Sequence, residues 1–236
     1  MPSAPKEIQA GGVRVVFPAR AASSFAQARK PPARVWLRDD VPADAPADLQ
    51  VPVLVGRALC AALREGAFVS TIGELEALVA RLAPDVARKR AIGLADMREY
   101  SRHDLAQRLV RDGFDEDLAR ATAARMEEVY VINDERYADM FVRSKVSAGW
   151  GERRIVSELA RHGIDVAQTL KGWPYGYLDS DDETARAQAL VARRCIPQKN
   201  AYQKLVRFLM GRGFSYGVAS EAVSRQLEAA AQREDV

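Results

Sequence analysis

The chain is poor in the residues that metal sites and nucleophilic active sites use. Its 236 residues include only two cysteines and two histidines. Cys60 and Cys195 lie far apart and form no CxxC pair, so neither a zinc site nor a disulfide framework is expected. No glycine-rich turn is followed by GK[ST], so a P-loop is missing as well. From composition we therefore expect neither a metal site nor Ser-His or Cys-His catalysis, and we expect both cysteines to be small core residues.

Long hydrophobic runs are missing too. No apolar stretch approaches the roughly 20 residues of a membrane-spanning helix, and the first residues, MPSAPKEIQAGG, lack the apolar core of a signal peptide. Hydrophobic residues nevertheless make up 48% of the chain and charged residues 28%, which is typical of a folded domain. We expect a cytoplasmic protein with no membrane association.

The formal net charge of +3 is small, but the charge is unevenly distributed. Residues 183–214 contain seven basic side chains and one acidic side chain, Glu183. A locally basic segment of this kind attracts phosphate groups or an acidic protein surface. A solvated helix face has the same composition, so charge alone does not decide between these interpretations.

A motif of eleven residues recurs at intervals of fifty. The copies are LAQRLVRDGFD from Leu105, IVSELARHGID from Ile155 and LVRFLMGRGFS from Leu205. Apolar residues at the first, second, fifth and sixth positions line one face of a helix. The glycine at the ninth position suits the left-handed conformation at a helix C-terminus, and the Asp or Ser at the eleventh is a preferred N-cap. Each copy therefore predicts a helix, a tight turn and a second helix.

A further amphipathic helix over 134–146 precedes the second copy, which gives three helices per repeat. We place the repeats at 86–130, 131–180 and 181–236. A unit of about fifty residues buries little core alone, so neighbouring units are expected to stack. The predicted fold is mainly α, with tandem three-helix repeats that form an elongated curved array.

The first 85 residues follow a different pattern. The segments VRVVF at 13–17, ARVWL at 33–37 and VPVLV at 51–55 are rich in β-branched residues and predict short strands. Helical segments follow, the second of them over 71–82. We predict a small β-containing extension over 1–85, ahead of the repeats.

The segment KGWPYGYLDSDD at 171–182 interrupts the helical pattern between the second and third repeats. Gly172 and Pro174 end the preceding helix. Its three aromatic side chains can stack on nucleic-acid bases, or they can pin the loop to its own core, which is the commoner role.

Three stretches of the chain, at 98–115, 133–165 and 203–215, resemble the RecX family of regulatory proteins. The motifs DERY at 134–137 and RFL at 207–209 carry the resemblance best, and it extends over about residues 86–236. The resemblance implies a fold of three-helix repeats, with no catalytic residue and no cofactor. It also implies binding to RecA, alone or as a filament on single-stranded DNA, and modulation, mostly inhibition, of the RecA ATPase and of strand exchange in homologous recombination and the SOS response.

The expected partner is therefore RecA or the RecA–DNA filament, bound by a monomer through its exposed basic side chains. The alternative is a helical module that binds DNA directly and acts without RecA, which the basic third repeat and the aromatic segment favour. Trp150 is expected to be a packing anchor beside Tyr137. The candidate contact residues, chosen for charge and expected exposure, are Arg108, Arg111, Arg143, Lys145, Arg153, Arg154, Lys204, Arg207 and Arg212.

Overall fold

The computed structural model describes the four strands given below and residues 72–178 and 180–234. The chain divides into two compact units, residues 1–132 and residues 133–236. Each unit has its own hydrophobic core among the described residues. The prediction that the protein is mainly helical is confirmed.

The first unit begins with four short strands in one antiparallel sheet of order β1-β2-β3-β4. They are β1 (Lys6–Ala10), β2 (Val13–Phe17), β3 (Ala33–Leu37) and β4 (Val53–Val55). The register pairs Ile8 with Val15, Val15 with Val35, and Val35 with Val53. Strands β2 and β3 coincide with two of the predicted segments, and β4 begins two residues later than the third. Strand β1 was not predicted, because its sequence KEIQA has a single β-branched residue.

Helices α1 (Ile72–Ala95), α2 (Arg102–Arg111) and α3 (Glu116–Glu128) complete the first unit. The prediction that the first of these helices ends at residue 82 is wrong, because α1 continues through Pro84. Its buried stripe runs past the proline through Ala87, Ala91 and Leu94. A proline nitrogen cannot donate the helical hydrogen bond, which lowers the stability of the helix. Burial of the apolar stripe compensates for this loss. The expected boundary between residues 85 and 86 consequently falls inside a helix.

The second unit consists of two sets of three helices. The first set is α4 (Asp134–Ser147), α5 (Glu152–Arg161) and the single turn α6 (Val166–Thr169), and the second is α7 (Ser180–Ala192), α8 (Ala201–Gly211) and α9 (Tyr216–Glu234). Each set encloses its own cluster of buried apolar residues. Ile155 and Leu159 lie in the first cluster, and Leu205 and Leu209 lie in the second.

All three copies of the repeated motif form the turn that the sequence predicts. Their glycines have positive φ angles of 98°, 74° and 95° at Gly113, Gly163 and Gly213. The buried residue after each glycine donates its amide to the carbonyl oxygen five residues earlier, over 3.0 to 3.2 Å. This pair of features defines a Schellman turn. The N-caps are also as predicted, since side-chain oxygens of Asp115, Asp165 and Ser215 accept amide hydrogen bonds from the following helix.

Candidate partner-binding surface

Two glycines bring the two helix sets of the second unit into backbone contact. The Gly151 amide donates to the carbonyl oxygen of Arg212 over 3.0 Å, and the Arg153 amide donates to that of Gly213 over 3.2 Å. A Cβ atom on Gly151 would lie 2.5 Å from backbone atoms of Gly213, so no other residue fits there without movement. Because both bonds use amides at the start of α5, they satisfy donors that the helix itself cannot.

Trp150 directly precedes Gly151 in the chain, and its ring makes cation–π contacts with two basic side chains. Arg154 Cζ is 3.8 Å from the ring centroid and Lys145 Nζ is 5.0 Å from it. Trp150 and Phe141 meet in an edge-to-face arrangement, with the ring centroids 6.3 Å apart. Trp150 is thus a packing anchor as predicted, but the ring it packs on is Phe141. Arg154 was expected to be exposed and is half-buried, because it stacks on Trp150 and its Cβ lies against Gly213.

Phe208 on α8 carries a second pair of cations. Arg194 Cζ is 4.2 Å from its ring centroid and Arg212 Cζ is 5.4 Å from it. Arg212 also directs Nη1 toward the carbonyl oxygen of Ala148, 3.5 Å away, which joins this pair to the loop before Trp150. We call the two rings and their cations the stacked-cation cluster. Its members are Lys145, Trp150, Arg154, Arg194, Phe208 and Arg212.

None of the four cations in the cluster makes an ion pair with an acidic side chain in the part of the chain that the structure describes. Other basic residues of the same unit do make such pairs, for example Arg161 with Glu158 over 3.1 Å. The cluster is therefore a local concentration of positive charge that cation–π contacts orient but do not neutralise.

The structure sorts the nine predicted contact residues into three groups. Arg111, Arg153, Lys204 and Arg207 are exposed and have no acidic partner among the described residues. Arg108 and Arg143 make ion pairs within their own helix or at its end, with Asp112 over 3.4 Å and with Asp139 over 3.0 Å. Lys145, Arg154 and Arg212 belong to the stacked-cation cluster.

Arg143 takes part in a network that holds the 171–178 segment against α4. Its Nε donates to both carboxylate oxygens of Asp139 at 3.0 Å, and the Tyr177 hydroxyl donates to the same carboxylate at 3.0 Å. The hydrogen bond from Arg143 lowers the pKa of Asp139 below its ordinary value, and the bond from Tyr177 acts in the same direction. Burial, and then the bond to Asp139, raise the pKa of Tyr177.

The aromatic side chains of the 171–178 segment differ in their surroundings. Trp173 and Tyr177 pack on the core of the first helix set, as the pinning interpretation predicts. Tyr175 is 89% exposed. Base stacking is therefore open to one ring of the segment and not to three.

Sequence reasoning missed Arg194 and Phe208 as members of the surface. The excess of basic residues over 183–214 pointed to the neighbourhood, but nothing in the sequence connects Phe208 with a loop some sixty residues earlier. The prediction for Cys195 is wrong, since this cysteine is exposed. Helix α7 ends at Ala192, so the apolar stripe does not extend to it. Cys60 lies outside the described residues.

The described residues contain no group of three or more His, Cys, Asp or Glu side chains that could hold a metal ion. Within the same part of the chain, no helix is both long enough and apolar enough to cross a membrane.

Two family models match the second unit, one for each of its helix sets. Residues 133–168 match the second three-helix domain of RecX, and residues 181–223 match the third. The regulatory protein RecX of Mycolicibacterium vanbaalenii is 30% identical over 162 residues, which are 64% of this chain and 87% of that protein. The chain belongs to the RecX family. The RecX of Mycobacterium ulcerans is 31% identical over 157 residues, covering 64% of this chain and 90% of the relative.

A solved RecX structure has the same fold. The crystal structure of RecX from Lactobacillus salivarius aligns with a TM-score of 0.50 at 20% sequence identity, over 61% of this chain and 96% of that one. The two chains thus share a fold at low sequence identity. The curated relatives carry the name of regulatory proteins, and this chain is accordingly a member of a regulatory family.

Proposed function

We propose that this chain regulates the RecA recombinase. It binds RecA and the RecA–DNA filament and inhibits the RecA ATPase and strand exchange, and through them homologous recombination and the SOS response. The observation that carries the proposal is membership of the RecX family, supported by matches to two successive three-helix domains. The protein acts as a cytoplasmic monomer and without catalysing a reaction of its own.

The repeated architecture suits a polymeric partner. Stacked helical repeats offer extended surfaces, and each repeat presents side chains at matching positions. A filament offers the corresponding series of identical subunits. Binding along or at the end of such a series restrains subunit addition and loss, which is how a protein without an active site inhibits a filament ATPase.

We assign the contact with RecA to the exposed cations that have no acidic partner among the described residues. Among the predicted contact residues of the second unit, those of this kind are Arg153, Lys204 and Arg207. A basic side chain without an intramolecular partner is available to a carboxylate of another protein and speeds the encounter with an acidic surface. Arg143 and Arg161, by contrast, are already paired with Asp139 and Glu158.

The deciding experiment is a titration of the full chain into preformed RecA filaments, with DNA-dependent ATP hydrolysis as the readout. We expect inhibition well below one copy per RecA if the protein acts on filament growth or ends, and inhibition only near saturation if it coats the filament. A chain that neither binds RecA nor changes its ATPase at saturation contradicts the proposal.

A further inference from the structure

Large apolar side chains are exposed at one end of the first unit. Helix α1 ends a few residues before α2 begins, and an ion pair of 3.1 Å between Arg102 and Glu127 places the start of α2 beside the end of α3. Met97, two residues beyond α1, is 79% exposed, and Tyr130, two residues beyond α3, is 78% exposed. Single exposed apolar side chains are normal, whereas a group of them marks an interaction site. We call this group the apolar end, and its members are Ile92, Met97, Val129 and Tyr130.

Tyr130 lowers the stability of the turn in which it lies. Its φ angle of 59° belongs to the left-handed region, which bulky residues rarely adopt. At the corresponding position after the first helix of each repeat motif, the chain has a glycine. Because the ring of Tyr130 is mostly exposed, packing compensates for little of this strain. A strained backbone at an exposed aromatic residue points to a role in binding, and tyrosine is among the residues that most often dominate the binding energy of protein interfaces.

The size of the apolar end limits what it can bind. Four partly exposed side chains offer less than the about 800 Å² that each side of a stable interface buries, so two copies of the chain are not expected to pair through this surface alone. Tyr130 lies three residues before Asn133, the first residue of the second unit. A protein that is already bound to the second unit therefore meets the apolar end at a high local concentration. The partner that fits is the one to which the second unit binds.

We propose that the apolar end is a second contact surface for RecA, at which Tyr130 and Met97 enter apolar pockets of the recombinase. The inference rests on the proposed function and deepens it, because Arg153, Lys204 and Arg207 supply charged contacts only. Attraction between exposed charges is screened by salt, whereas burial of apolar surface does not depend on charge. The two surfaces therefore differ in how their contributions to RecA binding depend on salt.

The test measures binding of the full chain to immobilised RecA without DNA by surface plasmon resonance, at about 0.1 M and about 0.3 M salt. The test variant is Met97→Gln with Tyr130→Asn, since asparagine tolerates the left-handed conformation. The matched control is Met140→Gln with Tyr175→Asn, which makes the same changes at side chains of the second unit that are 52% and 89% exposed. A further variant, Tyr130→Phe, keeps the ring. Circular dichroism melts establish that each variant is folded.

We expect the test variant to bind RecA about tenfold more weakly than the original protein, because truncation of interface anchors typically costs at least this much. The ratio of the two affinities should be the same at both salt concentrations. The control and Tyr130→Phe should bind within about twofold of the original protein.

The proposal is overturned if the test variant binds RecA as the original protein does, if the control loses as much affinity, or if the ratio shrinks toward one as salt rises. It is also overturned if the original protein sediments as a dimer and the test variant as a monomer, since a second copy then covers the apolar end. These results leave the proposed function standing. An original chain that binds no RecA at either salt concentration instead contradicts the proposed function, and this inference with it.

Discussion

Gly151 lies so close to Gly213 that a Cβ atom on Gly151 would come within 2.5 Å of the carbonyl group of Gly213. Gly213 is the ninth residue of the third repeat motif, with a φ angle of 95°. The glycine that the turn requires therefore also provides the contact surface between the two helix sets. The stacked-cation cluster depends on this contact, because it brings Arg212 to the loop that contains Trp150.

A first prediction follows from this packing. Substitution Gly151→Ala forces backbone atoms apart at the contact, and overpacking of this kind costs about 1–3 kcal/mol. We expect a lower unfolding midpoint in urea, followed by circular dichroism. Gly211→Ala is the control, because a Cβ atom there would meet nothing within 4 Å, and alanine is the better helix former. Equal stability of Gly151→Ala and the original protein would contradict this prediction, because it would show that the two backbones can separate without a loss of unfolding free energy.

The three Schellman turns were predictable from sequence because glycine, apolar residue and N-cap recur in register. The backbone contact between the helix sets was not, because Gly151 belongs to no copy of the motif. A glycine before a helix can serve as an N-cap, form a turn or allow a close backbone contact. Which of these roles applies depends on the segment that packs against it in the folded protein.

A second prediction concerns Tyr130, which follows α3. Tyr130 has a φ of 59°, and the hydrogen bonds from Tyr130 and Val131 to the carbonyls of Glu127 and Met126 are those of the glycine turns. The left-handed conformation costs an L-residue about 1 kcal/mol or more, and this side chain is 78% exposed, so it contributes little packing. We expect Tyr130→Gly to raise the unfolding temperature.

The control for this effect is Tyr130→Ala. Alanine removes the ring but keeps the unfavourable φ, so it should leave the unfolding temperature unchanged or lower it. If alanine and glycine stabilise equally, the gain comes from removing an exposed aromatic ring and not from the backbone.

A third prediction concerns acid stability. The pKa of Asp139 is lowered in the folded protein, chiefly by the hydrogen bond from Arg143. Its contribution to stability is therefore present above the pKa of an unfolded aspartate, about 4, and is lost as the pH falls through the lower folded value. We expect Asp139→Asn to lower the melting temperature at pH 7, with the difference from the original protein shrinking below pH 4.

Melting curves from pH 7 to pH 3 measure this effect. Asp85→Asn is the control, since the ion pair of Asp85 with Arg88, three residues along the same helix, is exposed, and such pairs contribute little. A difference between Asp139→Asn and the original protein that stays constant down to pH 3 would mean that the asparagine disturbs packing and not a charged hydrogen bond.

The candidate surface was predictable in part. Composition identifies a basic third repeat, and helical spacing identifies Asp139 and Arg143 as neighbours one turn apart. Charge and spacing do not reveal which basic side chains stack on aromatic rings. Arg194 follows α7 and Arg212 follows α8, and both contact the ring of Phe208 only because the chain folds back between these helices. That arrangement is set by tertiary packing.

The last prediction separates binding to RecA from direct binding to DNA, the alternative that the sequence leaves open. Substituting Arg153, Lys204 and Arg207 together with glutamine removes three exposed cations and leaves the stacked-cation cluster intact. If these residues contact RecA, inhibition of the RecA ATPase requires higher protein concentrations, by about tenfold when the three contribute about 0.5 kcal/mol each. Binding to a bare oligonucleotide should fall no more than in a triple control, Arg120→Gln with Arg161→Gln and Arg225→Gln. Loss of both activities in equal measure would instead place RecA and nucleic acid on one continuous basic surface.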